Sequence, residues 1–295
     1  ISEKKGLNVV RLPINWGDAV DPGEIKEKLN SRNQISGILI QASETSTGVL
    51  HPVSEVGELV RDKNILLIVD GISAVGISPC PMEKWKMDCL LTGSQKGMML
   101  PPGLALISLS EAAWKKNEQV ESNNYYFDLQ KELEKNKDGQ TAYTTAVNLV
   151  LGLKAALDLF FNAGLSNIYT KYWALTQMTR TGVQALGLQL LAQEHYTWGL
   201  TSIVLPADID GQKLVSNIAE KYNIIIAGGQ NQLKGKIVRI AHMGDVDWSE
   251  IMAGLYALQS TLQNMGATNH VQPDYMERAM TAYEKALQET VLTDS

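Results

Sequence analysis

Short runs of hydrophobic residues alternate with amphipathic stretches through the first half of the chain. Four runs predict strands, at residues 37–40, 65–69, 89–91 and 104–107. Because these runs are apolar without alternation, they predict burial on both faces, as in a parallel sheet covered by helices. Between them, residues 52–63 place Val53, Val56, Leu59 and Val60 at helical spacing. This β–α alternation predicts an α/β domain over residues 1–163.

The second half of the chain has a different pattern. Two long helical patterns occur, at residues 144–161 and 166–186. The second of them begins a smaller α+β block over residues 164–265. That block contains predicted strands at 200–205, 224–227 and 237–240 and predicted helices at 211–222 and 248–262. Residues 266–295 form a tail with one more amphipathic helix. No Pro/Ser-rich linker separates the halves, so we expect a continuous helix to join them near residue 164.

Composition and charge exclude some classes of function. The 295 residues are 44% hydrophobic and 20% charged, with a net charge of −6 and scattered basic residues. This pattern argues against nucleic acid or a membrane surface as the partner. Cys80 and Cys89 are the only two cysteines, which is typical of a reducing compartment, cytoplasmic or in an organelle, rather than of secretion. The four histidines are isolated from one another and from any cysteine pair, which predicts that there is no metal site.

Two residues carry the first indication of chemistry. Asp70 ends the apolar run 65–69, at the carboxyl end of a predicted strand, where α/β sheets bind ligands. Lys96 follows the next strand, in Gly93-Ser94-Gln95-Lys96-Gly97, where a partly desolvated amine could attack a carbonyl group. Taken alone, Asp70 is equally explained as the cap of a turn, and Lys96 as a solvated loop lysine.

Four motifs in order resemble the class V aminotransferases, in the branch that contains the alanine–glyoxylate and serine–glyoxylate aminotransferases. They are Glu44-Thr45-Ser46-Thr47-Gly48, Val69-Asp70, Ser94-Gln95-Lys96 with Pro101-Pro102-Gly103-Leu104-Ala105, and Arg239-Ile240-Ala241-His242-Met243-Gly244. The resemblance extends from about residue 6 to residue 263. It implies the type I fold of transferases that depend on pyridoxal 5′-phosphate (PLP), with a large α/β domain and a small α+β domain.

The resemblance also implies a role for each matched position. Lys96 is expected to hold PLP as a Schiff base and to move the substrate proton, and Asp70 to pair with the ring nitrogen. Thr45, Gln95 and Thr144 are expected to bind the cofactor, with Thr144 reaching the phosphate of a partner subunit in a homodimer. Arg239 is expected to bind the substrate carboxylate. The implied reaction is ping-pong transamination from alanine or serine to glyoxylate or pyruvate.

Alternatives stay open at this point. Taken singly, Thr45 fits a capping turn, Thr144 a helix N-cap and Arg239 a surface strand position. His242 is expected to be a packed structural histidine. The donor could also be ureidoglycine, or the chain could be a non-catalytic relative that serves as a dimerising module.

The start of the chain departs from the family pattern. In the family, a segment before the position of Ile1 supplies a glycine-rich phosphate-binding turn and an aromatic residue that stacks on the cofactor ring. We therefore expect the chain to be either a piece of a longer protein or a shortened relative with weakened activity.

Overall fold

A four-stranded sheet forms the centre of the first half of the protein. The computed structural model describes residues 2–32, 34–121, 124–267 and 270–289. The sheet has the spatial order β1 (Gly37–Gln41), β4 (Leu66–Asp70), β5 (Cys89–Gly93) and β6 (Ala105–Leu109). The first three strands are parallel, as predicted, whereas β6 is antiparallel to β5. The chain turns back after Gly93 through a loop of eleven residues without a crossover helix, so β6 returns in the opposite direction.

One face of this sheet is buried and the other is largely open. Leu67 and Val69 are fully buried in a core that includes α1 (Pro22–Ser31) and α2 (Val53–Val60). On the opposite face, Leu39 is 63% exposed and Ile107 45% exposed. The prediction of burial on both faces is therefore wrong for the part of the chain that the structure describes, since its helices cover one face.

A short hairpin projects between β1 and α2. Its strands are β2 (Ser43–Glu44) and β3 (Val49–Leu50), which pair in antiparallel fashion. We call residues 43–50 the substrate hairpin. Farther along the chain, α3 (Glu111–Glu118) and α4 (Leu129–Asn136) lie beyond β6.

The two long helices are separate. Helix α5 (Val147–Ala163) and helix α6 (Leu165–Ala185) meet at an angle of 90°. Gly164, which lies between them, has φ +80° and ψ 134°, a conformation that no helix contains. The expectation of a continuous helix near residue 164 is therefore wrong, because this glycine redirects the chain.

The second half of the protein builds its own antiparallel sheet and core. Its strands, in spatial order, are β7 (Gln189–Leu190), β8 (Leu200–Val204), β10 (Ile237–Ala241) and β9 (Ala227–Gly228). Helices α7 (Gly211–Tyr222), α8 (Trp248–Asn264) and α9 (Tyr275–Leu287) complete it. Helix α9 lies against α6, and Tyr275 and Ala279 join the same core as the sheet. The strand predicted at 224–227 is reduced to the two residues of β9.

Within the described ranges, no single helix is long and apolar enough to span a bilayer; α5 and α6 reach that length and hydropathy only when taken together across their bend.

Candidate active site

Asp70 lies where the sequence predicts, at the carboxyl end of β4. The strand is flanked by β1 and β5, and Asp70 is the register partner of Gln41 and Leu91. Its side chain is half-buried, and its Oδ1 accepts a hydrogen bond of 3.0 Å from the Ile72 N–H. Among the hydrogen bonds of the described residues, none involves Oδ2. The carboxylate therefore caps its own turn and still has one oxygen available for a ligand.

Lys96 lies in a tight turn after β5, and a buried serine fixes that turn. The Ser94 hydroxyl has no exposed surface; it donates to the Pro101 carbonyl at 2.7 Å and accepts from the Leu104 N–H at 3.2 Å. Gly97 packs so closely on the preceding turn that a Cβ there would collide with the Val75 carbonyl oxygen. Lys96 is half-buried, and no hydrogen bond or ion pair among the described residues occupies its amine.

Gln95 covers the end of β5 beside Lys96. A Cβ at Gly93 would meet the Gln95 Oε1 at 2.7 Å, so the amide lies against the Gly93 backbone. Gly93 lies two residues after Leu91 on β5, and Leu91 is the register partner of Asp70, so Gly93 is on the same face of the sheet as Asp70. The Gln95 side chain is thus an exposed polar group on the face that carries the Asp70 carboxylate.

The substrate hairpin presents Thr45 at its turn. Glu44 shapes this turn: its carboxylate accepts from the Ser46 N–H at 2.8 Å and its carbonyl accepts from the Gly48 N–H at 2.8 Å. Gly48 has φ +80°, and a Cβ at that position would approach the Ser202 Oγ to 3.0 Å. A glycine is therefore needed here both for the backbone conformation and for the close approach of β8.

Arg239, at the middle of β10, links the second sheet to this turn. Its Nη1 donates to the Thr45 carbonyl at 2.6 Å and its Nε donates to the Gly228 carbonyl at 3.0 Å. Burial lowers the pKa of the guanidinium, and the negative charge of Glu44 opposes that effect. None of the ion pairs formed among the described residues includes Arg239. The guanidinium is thus held in place by two backbone carbonyls, and Nη2 remains available for an anion.

Thr144 stands apart from these residues. It is exposed, and α5 begins three residues later at Val147, with Ala146 in the N-cap position and no side-chain cap. Thr144 is therefore not the N-cap of the helix. No hydrogen bond in the described part of the chain connects it to Asp70, Lys96 or Thr45.

Two histidines, the half-buried His51 and the buried His242, support the hairpin and the second sheet. The His51 Nδ1 accepts from the Val20 N–H at 3.1 Å; burial lowers the pKa of His51, Glu44 opposes this and His195 adds to it. His242 is fully buried, as expected of a structural histidine. Its Nδ1 lies 2.9 Å from the Trp198 carbonyl and its Nε2 lies 3.0 Å from the Thr201 Oγ1.

The fold brings the predicted residues together in two groups. Asp70, Gln95 and Lys96 share the carboxyl edge of the first sheet, and Thr45 and Arg239 contact each other where the substrate hairpin meets the second sheet. Together they offer a primary amine for an aldehyde, a carboxylate for a protonated ring nitrogen, polar side chains for phosphate and hydroxyl groups, and a guanidinium for a carboxylate. This set of donors and acceptors fits PLP with an amino-acid substrate. Within the described residues, no group of three or more His, Cys, Asp or Glu side chains is placed to hold a metal ion.

A separate cleft lies far from these residues. It has a volume of about 1120 Å³ and opens at the edge where the parallel strands begin, beside Leu66 and Asp88. It contains none of the candidate residues. Since ligands of α/β sheets bind at the carboxyl ends of the strands, the cleft does not mark the active site.

Sequence reasoning missed the residues that hold the substrate hairpin against the second half of the chain. The Ser43 hydroxyl donates to the Thr197 Oγ1 at 2.7 Å, and the Tyr196 backbone bridges to Val49. Polar residues at 43 and 197 give no local signal, because the contact joins positions 154 residues apart.

Comparisons with known proteins agree with this site. A family model described as aminotransferase class-V matches residues 1–252. An uncharacterized aminotransferase of Methanocaldococcus jannaschii is 39% identical over 264 residues, which cover 87% of this chain and 68% of the relative. A serine–glyoxylate aminotransferase of Methylorubrum extorquens is 32% identical over 277 residues, covering 90% of this chain and 69% of the relative. The crystal structure of a ureidoglycine–glyoxylate aminotransferase from Bacillus subtilis superposes with a TM-score of 0.87 at 25% identity, covering 96% of this chain and 74% of that one.

Proposed function

Because the chain belongs to the class V aminotransferase family, we propose that it transfers the amino group of alanine or serine to glyoxylate or pyruvate. It is an aminotransferase with the type I fold, its cofactor is PLP, and its substrates are amino acids and 2-oxo acids. The choice of donor and acceptor rests on the activities that relatives are named for, in which glyoxylate recurs.

The proposed roles of the cofactor residues follow from the groups at the first sheet. When bound, PLP supplies an electron-withdrawing ring that makes the Cα proton of an attached amino acid removable. Asp70 offers its open Oδ2 to the ring N–H, and a carboxylate there keeps that nitrogen protonated. The Lys96 amine would hold the cofactor through its aldehyde carbon and, when free, would remove and return the proton at the substrate Cα. Thr45 and Gln95 contact the polar groups of the cofactor.

One observation carries the substrate proposal, namely how Arg239 is held. Its Nε and Nη1 are bound to the carbonyls of Gly228 and Thr45, and no described residue accepts a hydrogen bond from Nη2. A charged N–H donor that is fixed in this way can bind a carboxylate oxygen. Donor and acceptor both carry an α-carboxylate. The same fixed cation can therefore bind each of them in turn, as a ping-pong reaction requires.

The experiment is steady-state kinetics of the intact protein with PLP. Alanine is paired with glyoxylate, and serine is paired with glyoxylate and with pyruvate, because alanine with pyruvate would give no net reaction. Parallel lines in double-reciprocal plots, with turnover for at least one of these pairs, are the expected result. Intersecting lines would exclude the ping-pong order, and absence of turnover with all three pairs would exclude these substrates.

Two other functions are compatible with the chain. A ureidoglycine donor is favoured by the likeness to the Bacillus subtilis enzyme; it is tested by offering ureidoglycine in the same assay. A non-catalytic dimerising module is disfavoured, because such a module would have no need to keep Asp70, Lys96 and Arg239 together.

We also propose that the protein is a homodimer and that its two domains divide at Gly164. The outer surface of α5 supports the dimer, since it exposes large apolar side chains that a soluble monomer would leave in water: Val147, Val150, Leu151, Leu159 and Phe161. Thr144 precedes this helix, where it could reach a phosphate in a partner's site. Sedimentation of Leu159→Glu is expected to show monomers, with Lys213→Glu, at an exposed lysine of α7, as the control. A Leu159→Glu protein that sediments as the unaltered protein would place the interface elsewhere.

A further inference from the structure

Tyr196 is held from three sides by one face of α6. Trp173 stacks on its ring with an interplanar angle of 10°, the Gln177 amide donates to its hydroxyl at 3.2 Å, and the Arg180 guanidinium lies 3.5 Å above the ring centroid. These three residues are spaced i, i+4 and i+7, so they form a single stripe along the helix. We call this group the Tyr196 clamp.

Arg180 also fixes the chain that leads into Tyr196. Its Nη1 donates to the Ala192 carbonyl at 2.9 Å and its Nη2 donates to the Gln193 carbonyl at 2.8 Å. One side chain thus binds the backbone three to four residues before the tyrosine and the tyrosine ring itself. No ion pair among the described residues competes for this guanidinium.

The backbone on both sides of Tyr196 extends the substrate hairpin. Tyr196 bridges to Val49, the His195 carbonyl accepts from the Leu50 N–H at 3.0 Å, and the Thr197 N–H donates to the Gly48 carbonyl at 2.9 Å. Residues 195–197 therefore act as a third strand beside β3. Their partners, residues 48–50, follow directly after the turn that carries Thr45.

The contacts form one continuous connection from α6 to the candidate carboxylate site. Helix α6 holds Tyr196, residues 195–197 hold the substrate hairpin, and the Thr45 carbonyl of that hairpin holds the Arg239 Nη1 at 2.6 Å. Apart from Thr45 and Arg239, none of the residues in this connection is a candidate for contact with cofactor or substrate. Their chemistry is that of a support: stacked rings, an amide and a guanidinium bound to carbonyls.

We propose that the Tyr196 clamp positions the substrate hairpin against Arg239, with Arg180 as the positioning residue. The clamp sets the distance between Thr45 and β10, and therefore the direction in which the guanidinium faces a carboxylate. This inference rests on the proposed role of Arg239 and extends it to residues that touch neither substrate nor cofactor.

The test uses Arg180→Met, which keeps an unbranched apolar side chain and removes the charge and both hydrogen bonds. Amide hydrogen exchange is measured at Leu50 and Thr197, whose N–H groups join the hairpin to residues 195–197. We expect exchange there to become about tenfold faster, while the amide of Ile203 in β8 is unchanged. Arg278→Met, at an exposed arginine of α9 paired with Asp274, is the matched control.

Propanoate, an unreactive carboxylate with the carbon skeleton of alanine, measures the consequence for the site. Its dissociation constant with the PLP-loaded protein is expected to rise several-fold in Arg180→Met and to stay unchanged in Arg278→Met. Faster hairpin exchange together with weaker propanoate binding supports the proposal. Unchanged hairpin exchange, or exchange that rises equally at Ile203, overturns it, as does faster hairpin exchange with unchanged propanoate affinity.

Two further variants keep the test decisive. If Arg180→Met does not fold, Tyr196→Leu removes the ring and leaves the bonds of Arg180 to the two carbonyls, and the same two changes are expected. Tyr196→Phe keeps the stacking and should behave almost as the unaltered protein. If propanoate does not bind even to the unaltered protein, the proposed carboxylate site fails, whereas the hydrogen exchange still decides whether the clamp holds the hairpin.

Discussion

The buried histidine of the second sheet predicts a specific loss of stability in acid. His242 has no exposed surface, and its ring nitrogens face the Trp198 carbonyl and the Thr201 hydroxyl. The neutral ring satisfies both, by donating from Nδ1 and accepting at Nε2. Burial lowers the pKa of His242 from 6.5 to about 3, the Trp198 carbonyl opposes this, and the positive charge of Arg180 adds to it.

The sign and size of the effect follow from proton linkage. A histidine whose pKa is lowered by folding stabilises the protein above the pKa of the unfolded chain, and this stability is lost as the pH falls toward the folded pKa. Between pH 6.5 and about 3, His242 is protonated in the unfolded chain and neutral in the native state. The free energy of unfolding should therefore fall by about 1.4 kcal/mol per pH unit from this residue, or about 2 kcal/mol at pH 5.

The perturbation is His242→Gln, which retains a donor and an acceptor but does not titrate. Urea unfolding is followed at pH 7.5 and pH 5 by tryptophan fluorescence, with His270→Gln at an exposed histidine as the control. At pH 7.5 the variant is expected to have a smaller free energy of unfolding than the unaltered protein. At pH 5 the difference between the two free energies should be about 2 kcal/mol smaller. A deficit of the same size at both pH values would refute the assignment of a neutral buried imidazole.

Three further substitutions test the site. Asp70→Asn should slow the first half-reaction far more than it weakens substrate binding, because an amide cannot hold a ring nitrogen protonated; an unchanged single-turnover rate would contradict this role. Arg239→Lys should raise KM for donor and acceptor together by an amount equivalent to roughly 2–5 kcal/mol, and loss of PLP from that variant would instead make Arg239 a cofactor residue. Gly97→Ala should destabilise the protein by roughly 1–3 kcal/mol, because its Cβ collides with the Val75 carbonyl; an unchanged melting temperature would show that the turn can shift freely.

The elements with a strong local pattern were predictable from the sequence. The strands at 37–40, 65–69 and 89–91 and the helix at 211–222 agree with the structure to within two residues, because apolar runs and helical spacing are local properties. The antiparallel direction of β6 and the bend at Gly164 were not, since each depends on how the chain packs after the element has formed.

The candidate site was predictable only in part. Asp70 and Lys96 stand out locally, because each follows a buried strand. The contact between Thr45 and Arg239 joins positions 194 residues apart, and only the family resemblance connected them. The Tyr196 clamp was not predictable, because the sequence around a tyrosine in an irregular segment does not indicate which helix will pack against it.

The central claim, that PLP is held by Lys96, is tested most directly by borohydride reduction. Reduction fixes PLP covalently to the amine that holds it, and peptide mapping by mass spectrometry then identifies the residue. In the intact protein loaded with PLP, the label is expected on Lys96, and Lys96→Ala should carry none. A label on another lysine, or an unlabelled protein that still transaminates, would contradict the account.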